Sequence, residues 1–279
     1  GTDPETNGIS NPWNDGGFFP NGIEGMIAAF ILVLFAFGGT EIIGVAGTEA
    51  DDPDRSIPKA VNTVPLRILL FYVLAILVIL MLNPWRAMTG EESPFVQIFD
   101  TLGVNWAAAL LNLVVITAAL SAINADLFGT GRVLTGLAKE GLAPKIMKRT
   151  IRDIPVMTTI TLLLVLIIGV VLNALYPNIF ETIAALATFA TVFVWLMILL
   201  AHVASRRNMS AAERETLSFP VPWFAIIFIL FTFGIMVWLP QYHMALAVGV
   251  AFVVIMTVLY FVTGRPKAVA AAHVTYEMK

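Results

Sequence analysis

The feature that most constrains this chain is a series of long apolar runs. Runs of about 18 to 25 apolar residues recur along its 279 residues, and each is long enough to cross roughly 30 Å of hydrocarbon. Hydrophobic residues make up 58% of the sequence and charged residues 13%, a balance that ordinary soluble domains do not have. Because backbone polar groups inside a bilayer must be satisfied internally, helices are the expected form. The sequence therefore predicts an all-α, polytopic membrane protein.

Seven of these runs are predicted to cross the membrane, within one transmembrane domain over residues 23–263. The predicted spans are about 23–48, 67–82, 104–127, 157–175, 180–201, 223–239 and 244–262. The second span is predicted to begin earlier as an interfacial or kinked helix, because Pro58 and Pro65 interrupt regular hydrogen bonding. Residues 94–102 are compatible with a short surface helix.

The distribution of Lys and Arg predicts the direction of the spans. All of the 16 basic residues except Arg86 fall in segments on one side of the predicted membrane. Positively charged loops are retained in the cytoplasm, which places the amino terminus outside and the carboxyl terminus inside. Residues 1–22 are thus predicted to be an extracytoplasmic loop, and residues 264–279 a cytoplasmic tail.

Composition and motifs argue against several other classes of protein. The chain has no cysteine, which excludes disulfides and thiolate metal sites. The three histidines have no carboxylate or second histidine at ligand spacing, and no phosphate-binding loop is present, so we predict neither a metal site nor a cofactor. The basic residues are not interleaved with aromatics, so no nucleic-acid partner is implied. Nothing in the sequence suggests an enzyme.

The most informative segment is Phe35-Ala36-Phe37-Gly38-Gly39-Thr40-Glu41, which places paired glycines and a carboxylate inside the first apolar run. Paired glycines weaken a helix, and unwound backbone at membrane depth is tolerated only where protein or a water-filled cavity covers it. Discontinuous helices of this kind bind substrates near the midplane of secondary transporters. Close helix packing through small residues explains the glycines equally well, so both interpretations stay open.

Glu41 is the most unusual residue of that segment. It lies about eight residues, or roughly 12 Å of helix, from the cytoplasmic end of the first span. A carboxylate at that depth is costly unless it is protonated, paired or hydrated. Proton coupling or an ion pathway is therefore favoured over a purely structural buried hydrogen bond.

Small and polar residues share one helical face in two further spans. In the third span they are Thr117, Ser121, Asn124, Phe128 and Gly131. In the fifth span they are Ala184, Thr188, Thr191 and Trp195. The third-span face is a candidate cation or proton path, although hydrogen bonding between helices is the simpler explanation for any one residue. For the fifth-span face we favour helix packing.

Three segments together resemble a known family. The run FAFGGTEIIGVAGTEADDPDRSIPKA, residues 35–60, resembles the sixth transmembrane helix and following loop of the amino acid, polyamine and organocation (APC) superfamily, in particular bacterial amino-acid permeases. Residues 93–104, SPFVQIFDTLGV, resemble an external loop of that family, and residues 121–145 resemble the end of its eighth helix. The similarity runs from about residue 10 to residue 266 and looks closest to proline-type permeases.

This resemblance implies a particular architecture and location. The chain is expected to hold family helices six to twelve, which are the second inverted repeat and two peripheral helices. On that expectation it is a carboxyl-terminal fragment, and helices one to five are missing partners. The implied location is the bacterial cell inner membrane, with several crossings.

The resemblance also implies roles for individual residues. A substrate-binding role falls on Phe35, Ala36, Phe37, Gly38 and Gly39. Glu41 matches a family glutamate linked to proton-dependent gating, while Ser121 and Asn124 match the eighth-helix region near the cation- or proton-equivalent site. Thr117 joins these two as a candidate because it shares their helical face. The expected function is proton-coupled amino-acid symport by alternating access, with the amino acid, protons and the lipid bilayer as partners. An amino-acid exchanger and a membrane-embedded scaffold or binding fragment without transport activity remain alternatives.

Overall fold

The computed structural model describes residues 8–14, 16–47, 51–88, 90, 93–101, 103–152, 154–176, 179–209 and 222–262. Helices dominate this part of the chain, and its only extended pairing is an isolated antiparallel bridge between Ile151 and Ile154. The predicted all-α fold class is confirmed.

The described residues form ten α-helices. They are α1 (Gly22–Ala36), α2 (Ile42–Gly47), α3 (Pro53–Ile68), α4 (Leu74–Leu82), α5 (Pro94–Thr101), α6 (Asn105–Lys139), α7 (Val156–Leu175), α8 (Ile179–Asn208), α9 (Trp223–Trp238) and α10 (His243–Val262). A π-helical segment, Leu69–Val73, joins α3 to α4 without a break.

Five helical stretches in the described residues are long and apolar enough to cross a membrane. They are Arg55–Leu82, Ala109–Lys139, Val156–Leu175, Ile179–Arg206 and Pro240–Val262. Two shorter apolar helices, α1 and α9, accompany them. Most apolar side chains of these helices are exposed, as expected where hydrocarbon replaces water as the solvent. The predicted multi-pass membrane character is confirmed, whereas the limits of the seven spans stay predictions and residues 264–279 lie outside the described residues.

The second apolar run begins well before its hydrophobic part, as predicted. Asp52 accepts a hydrogen bond from the Arg55 backbone N–H at 3.3 Å, and Pro53 stands at the first helical position, where its missing N–H costs nothing. The helix then continues through Pro58 and Pro65 into the π-helical segment. Helix α5 corresponds to the short helix predicted at residues 94–102.

Helix α6 extends beyond the predicted third span. That span was predicted to end at residue 127, and the helix continues to Lys139. Gly131 lies within the helix, and a Cβ there would be at ordinary contact distance from the Pro155 ring, 3.4 Å, and from Thr158 Oγ1, 3.6 Å. Thr135 and Ala138, farther along, are buried.

The chain forms two compact units. The first comprises residues 1–26 and 42–130, and the second comprises residues 27–41 and 131–279. In the first unit α5 contributes buried apolar side chains, Val96 and Ile98. There the Asn11 side-chain amide also donates a hydrogen bond to the Met81 carbonyl oxygen at 3.3 Å.

The second unit has an apolar core that fixes the position of α1. The buried members of this core are Ile31, Phe189, Ile235, Met236, Leu239 and Tyr242. Ile31 of α1 is fully buried, and the neighbouring Phe30 meets Phe228 of α9 edge to face at 5.1 Å between ring centroids. The carboxyl-terminal half of α1 is therefore held firmly against α9, which sets the place of the residues that follow it.

Candidate functional site

The first apolar run is a broken helix. Helix α1 ends at Ala36, α2 begins at Ile42, and the five residues between them form turns. Near the end of α1, the Phe37 N–H donates to the Leu34 carbonyl at 3.1 Å and the Gly38 N–H to the Phe35 carbonyl at 3.0 Å, so the last turn tightens to three-residue spacing. Gly39 has a φ of 93°, a conformation that only glycine adopts without strain. The structure thus shows a break at the paired glycines, one of the two interpretations that the sequence left open.

Glu41 folds back onto this break. Its Oε2 atom accepts a hydrogen bond from the Gly39 backbone N–H at 3.1 Å and a second from the Trp195 indole N–H, also at 3.1 Å. Both contacts are partly buried. One carboxylate oxygen thus joins the turn after α1 to helix α8, within the second unit.

Helix α8 approaches the break along the face that the sequence marked. A Cβ at Gly38 would lie 3.3 Å from Thr191 Oγ1, so the absence of a side chain allows α8 to come this close. Trp195 follows Thr191 by one turn and reaches Glu41. Thr188, one turn earlier, is buried and donates to the Ala184 carbonyl at 2.8 Å. Packing explains Thr188, but Thr191 and Trp195 also belong to the site.

A groove of about 420 Å³ borders Glu41 in the second unit. Its polar side chains are Thr40, Glu41 and Trp195, and the remaining lining is apolar. The apolar lining residues, from α8 and α9, are Ile198, Leu199, Ala225, Phe228 and Ile229. Since a water molecule occupies about 30 Å³ of liquid volume, the groove has room for water beside the carboxylate.

The other predicted substrate-site residues lie at the end of α1 and in the turn. Phe35 is 37% exposed, Ala36 is exposed, and Phe37 is half-buried. These side chains remain accessible at the break, which is compatible with the predicted contact to a ligand. Their binding role stays a prediction.

The residues predicted for a cation or proton path lie on α6, in the part that belongs to the first unit. Thr117, Ser121 and Asn124 are all exposed on that helix. The Thr117 hydroxyl donates to the Val114 carbonyl at 2.9 Å, a bond within its own helix. Their role in ion movement stays a prediction.

The sequence did not reveal the pairing of Trp195 with Glu41. The two residues are 154 positions apart, and periodicity assigns Trp195 only to a helical face. The available signal was the indole N–H, a donor that needs a partner when it is buried among apolar side chains. Glu41, deep in the first apolar run, is an acceptor, and the Trp195 indole N–H is a donor. Neither had another evident partner in the sequence.

The arrangement gives one carboxylate oxygen of Glu41 two N–H donors. Hydrogen bonds to an ionised carboxylate are roughly twice as strong as those between neutral groups. A charged acceptor at this position would therefore hold the turn against α8 more tightly than a neutral one.

The fold and this site define a class: polytopic helical membrane proteins with a discontinuous helix and an acidic residue beside its break. Within that class, the chain belongs to the amino acid permease family, whose sequence profile matches residues 1–275. This finding confirms the resemblance noted from the sequence.

Individual relatives agree with the family assignment. The uncharacterized amino acid permease YtnA of Bacillus subtilis (strain 168) is 36% identical over 95% of this chain and 59% of its own length. The amino-acid permease AapA of the same organism is 37% identical over 92% of this chain and 57% of its own. The aromatic amino acid transport protein AroP of Escherichia coli (strain K12) is 36% identical over 95% and 60%. The chain thus spans about three fifths of the length of these relatives, and no solved structure matches it significantly.

Proposed function

We propose that this protein works in the secondary active transport of an amino acid across the cell membrane, by proton symport with alternating access. Membership of the amino acid permease family supports amino-acid transport, as do relatives whose names describe amino-acid transporters. The observation that carries the proton-coupled part is the Glu41 carboxylate, which is hydrogen-bonded to both sides of a contact between the broken helix and α8.

Substrate recognition is assigned to the break itself. The turn at residues 37–41 interrupts the regular hydrogen bonds between α1 and α2, so backbone carbonyls near Gly38 and Gly39 are offered to a ligand, while the N–H groups of these glycines bond to Phe35 and Glu41. Carbonyls match the ammonium group of an amino acid. Phe35, Ala36 and Phe37 would contact the remainder of the substrate.

Proton coupling follows from the two bonds of Glu41. While the carboxylate is ionised, it holds the turn against Trp195 of α8. Protonation weakens both bonds, because the acceptor loses its charge. The broken helix is then freer to move relative to α8, and loss of the proton restores the contact. A proton bound at Glu41 would thereby bias the protein between two arrangements, as alternating access requires.

Two features extend this proposal beyond Glu41. The groove beside the carboxylate would let water, and hence protons, reach it. Thr117, Ser121 and Asn124 on α6 would supply further polar groups for a proton or cation path. The bias of basic residues supports an external amino terminus and a cytoplasmic carboxyl terminus for this chain, in a bacterial inner membrane.

The decisive experiment is Glu41→Gln in the complete gene product, reconstituted into vesicles. A glutamine side chain has a similar shape, and its carbonyl oxygen still accepts both N–H groups, so the fold should persist. With one proton moved per substrate, a gradient of about one pH unit supports about tenfold accumulation of a labelled amino acid. We expect accumulation by the variant to fall close to the level without a gradient.

Glu181→Gln is the matched control, because it removes an exposed carboxylate from the first turn of α8 and leaves the break intact. This control should accumulate substrate as the unmodified protein does, at equal protein per vesicle. Full gradient-driven accumulation by the Glu41→Gln variant would refute the coupling role.

A further inference from the structure

The segment that joins α6 to α7, residues 139–154, has the properties of a membrane-docking surface. We propose that this segment, called the basic loop below, binds the headgroups of anionic lipids. The inference concerns a surface separate from the break, and it does not depend on the transport mechanism.

The position of the basic loop keeps it at the membrane boundary. It connects two stretches that are long and apolar enough to span the bilayer, Ala109–Lys139 and Val156–Leu175. The end of the basic loop at residue 154 is therefore held near the point where the hydrocarbon gives way to the headgroups.

The charge of the basic loop is strongly positive. It holds five basic residues against two acidic ones, Glu140 and Asp153, the second of which lies outside the described residues. The basic residues are all exposed: Lys139, Lys145, Lys148, Arg149 and Arg152. Each Lys or Arg near an anionic surface raises the local partition by about fivefold, so several together favour anionic over zwitterionic lipid.

Exposed apolar side chains lie among these charges. Leu142 is 40% exposed, Ile146 is 54% exposed, and Ile151 and Ile154 are 63% and 59% exposed. A loop facing only water would not be expected to present four aliphatic residues in sixteen positions. Basic residues interleaved with exposed aliphatic ones are typical of surfaces that enter the headgroup region.

Backbone geometry fixes two of these apolar residues side by side. The Ile151 N–H donates to the Ile154 carbonyl at 2.9 Å and the Ile154 N–H to the Ile151 carbonyl at 3.0 Å. Arg152 turns the chain between them with a φ of 50°. Residues directly opposed in an antiparallel pair project to the same face, so both isoleucines point the same way.

A hydrogen bond also keeps the basic loop close to the end of α6. Lys148 Nζ donates to the Lys139 carbonyl oxygen at 3.4 Å, across nine residues. A cation at the carboxyl end of a helix is also favoured by the helix dipole. The charges and the aliphatic side chains are thus presented from a folded segment.

Residues 1–279 contain no cysteine, which simplifies a direct test. In the complete gene product any cysteine outside these residues is first replaced by serine, so that Ile146→Cys carries a single nitrobenzoxadiazole fluorophore. The protein is then reconstituted into phosphatidylcholine vesicles. Brominated phosphatidylglycerol or brominated phosphatidylcholine, at equal mole fraction, then quenches the label according to which lipid lies beside it. We expect phosphatidylglycerol to quench about two times more than phosphatidylcholine, or better, at low salt.

Controls separate lipid preference from mere proximity to the membrane. A label at Val115→Cys, on the exposed side of α6 and far from the basic loop, should be quenched equally by both lipids. The preference at position 146 should disappear when Lys145→Gln, Arg149→Gln and Arg152→Gln are combined. A second label at Ile151→Cys guards against a local defect at position 146.

Three results would overturn the inference. Equal quenching by the two lipids would show that charge does not select the neighbours of the basic loop. Quenching by aqueous iodide alone would place the loop in water. Protection from both iodide and brominated lipid would show that protein covers it.

Discussion

Trp195 and Gly39 place their N–H groups on the same oxygen of Glu41, so this carboxyl group has two donors at 3.1 Å. The backbone donor cannot be removed by substitution without changing the turn. The indole donor can be removed, because phenylalanine keeps an aromatic ring at position 195 and lacks the N–H. The contribution of Trp195 is therefore accessible to experiment.

We predict that Trp195→Phe lowers gradient-driven uptake by roughly tenfold, because it removes one of the two donors that hold the turn against α8. The measurement is initial uptake of a labelled amino acid under an inward proton gradient. Trp223→Phe, at a 59% exposed indole, is the matched control and should transport at the unmodified rate. Unchanged uptake by Trp195→Phe would show that the indole bond does not contribute to transport.

Gly39 supports a second prediction at the residue scale. Its position requires glycine because of the backbone conformation and not because of limited space. A Cβ at this position would meet nothing within 4 Å, yet φ is 93°. Gly39→Ala should therefore lower the free energy of unfolding by about 1–2 kcal/mol. Gly44→Ala in α2 also meets open space but has a helical backbone, so it should be neutral or stabilising by up to about 1 kcal/mol. Denaturant titration in detergent micelles measures the free energy of unfolding of both variants. Equal changes for Gly39→Ala and Gly44→Ala would contradict a strained turn at Gly39.

Residue patterns predicted half of the candidate site. Paired glycines beside a carboxylate are rare within an apolar run, so Gly38, Gly39 and Glu41 were found from local chemistry. Periodicity placed Thr191 and Trp195 on one helical face, but it does not identify the residues that this face contacts. Only tertiary packing brings Trp195 to Glu41, 154 positions away.

At the scale of elements, α8 and α10 approach each other closely at Gly249. This glycine is buried, and a Cβ there would overlap the ring of Phe189. Phe189 in turn stacks on Phe193 at 6.0 Å and meets Phe233 of α9 edge to face at 5.7 Å. Small residues allow such approach between membrane helices, where dispersion rather than hydrophobicity drives packing.

We predict that Gly249→Val lowers the free energy of unfolding by about 2–3 kcal/mol, because the added side chain must displace the Phe189 ring. Gly234→Val in α9 is the matched control, since a Cβ there meets nothing within 4 Å. Denaturant titration in micelles measures both. The double variant Phe189→Ala with Gly249→Val should lose less free energy of unfolding than the sum of the two single losses. Strictly additive losses would exclude a direct clash between the two side chains.

Element types were predictable from the sequence, but their ends were not. Long apolar runs specify helices through the bilayer, whatever their neighbours. The last part of α6 is packed into the fold instead: Gly131 lies near Pro155, and Thr135 and Ala138 are buried. Periodicity placed Gly131 on a helical face of the third span, whereas hydropathy ended that span at residue 127.

At the scale of the whole molecule, hydropathy predicts that helices cross the membrane but not which helices are neighbours. A side chain that faces lipid and one that faces another helix have similar composition. The most apolar stretches of the five candidate spans have between 0% and 17% of their residues buried, so contacts within the described residues fix few of their side chains. The distribution of Lys and Arg among the loops, in contrast, predicts the orientation of the whole chain in the membrane.

The mode of transport is a property of the whole molecule, and symport and exchange differ in what drives accumulation. In empty vesicles with an alkaline interior, a symporter carrying one proton accumulates labelled amino acid about tenfold per pH unit, whereas a strict exchanger has no internal substrate to return. We predict accumulation by the unmodified protein, with alkalinisation of the medium. Glu41→Gln should lose this accumulation but keep counterflow into vesicles preloaded with unlabelled amino acid, because the substrate contacts at Gly38 and Gly39 do not require the proton. Uptake that occurs only after preloading, in the unmodified protein, would establish exchange and remove Glu41 from energy coupling.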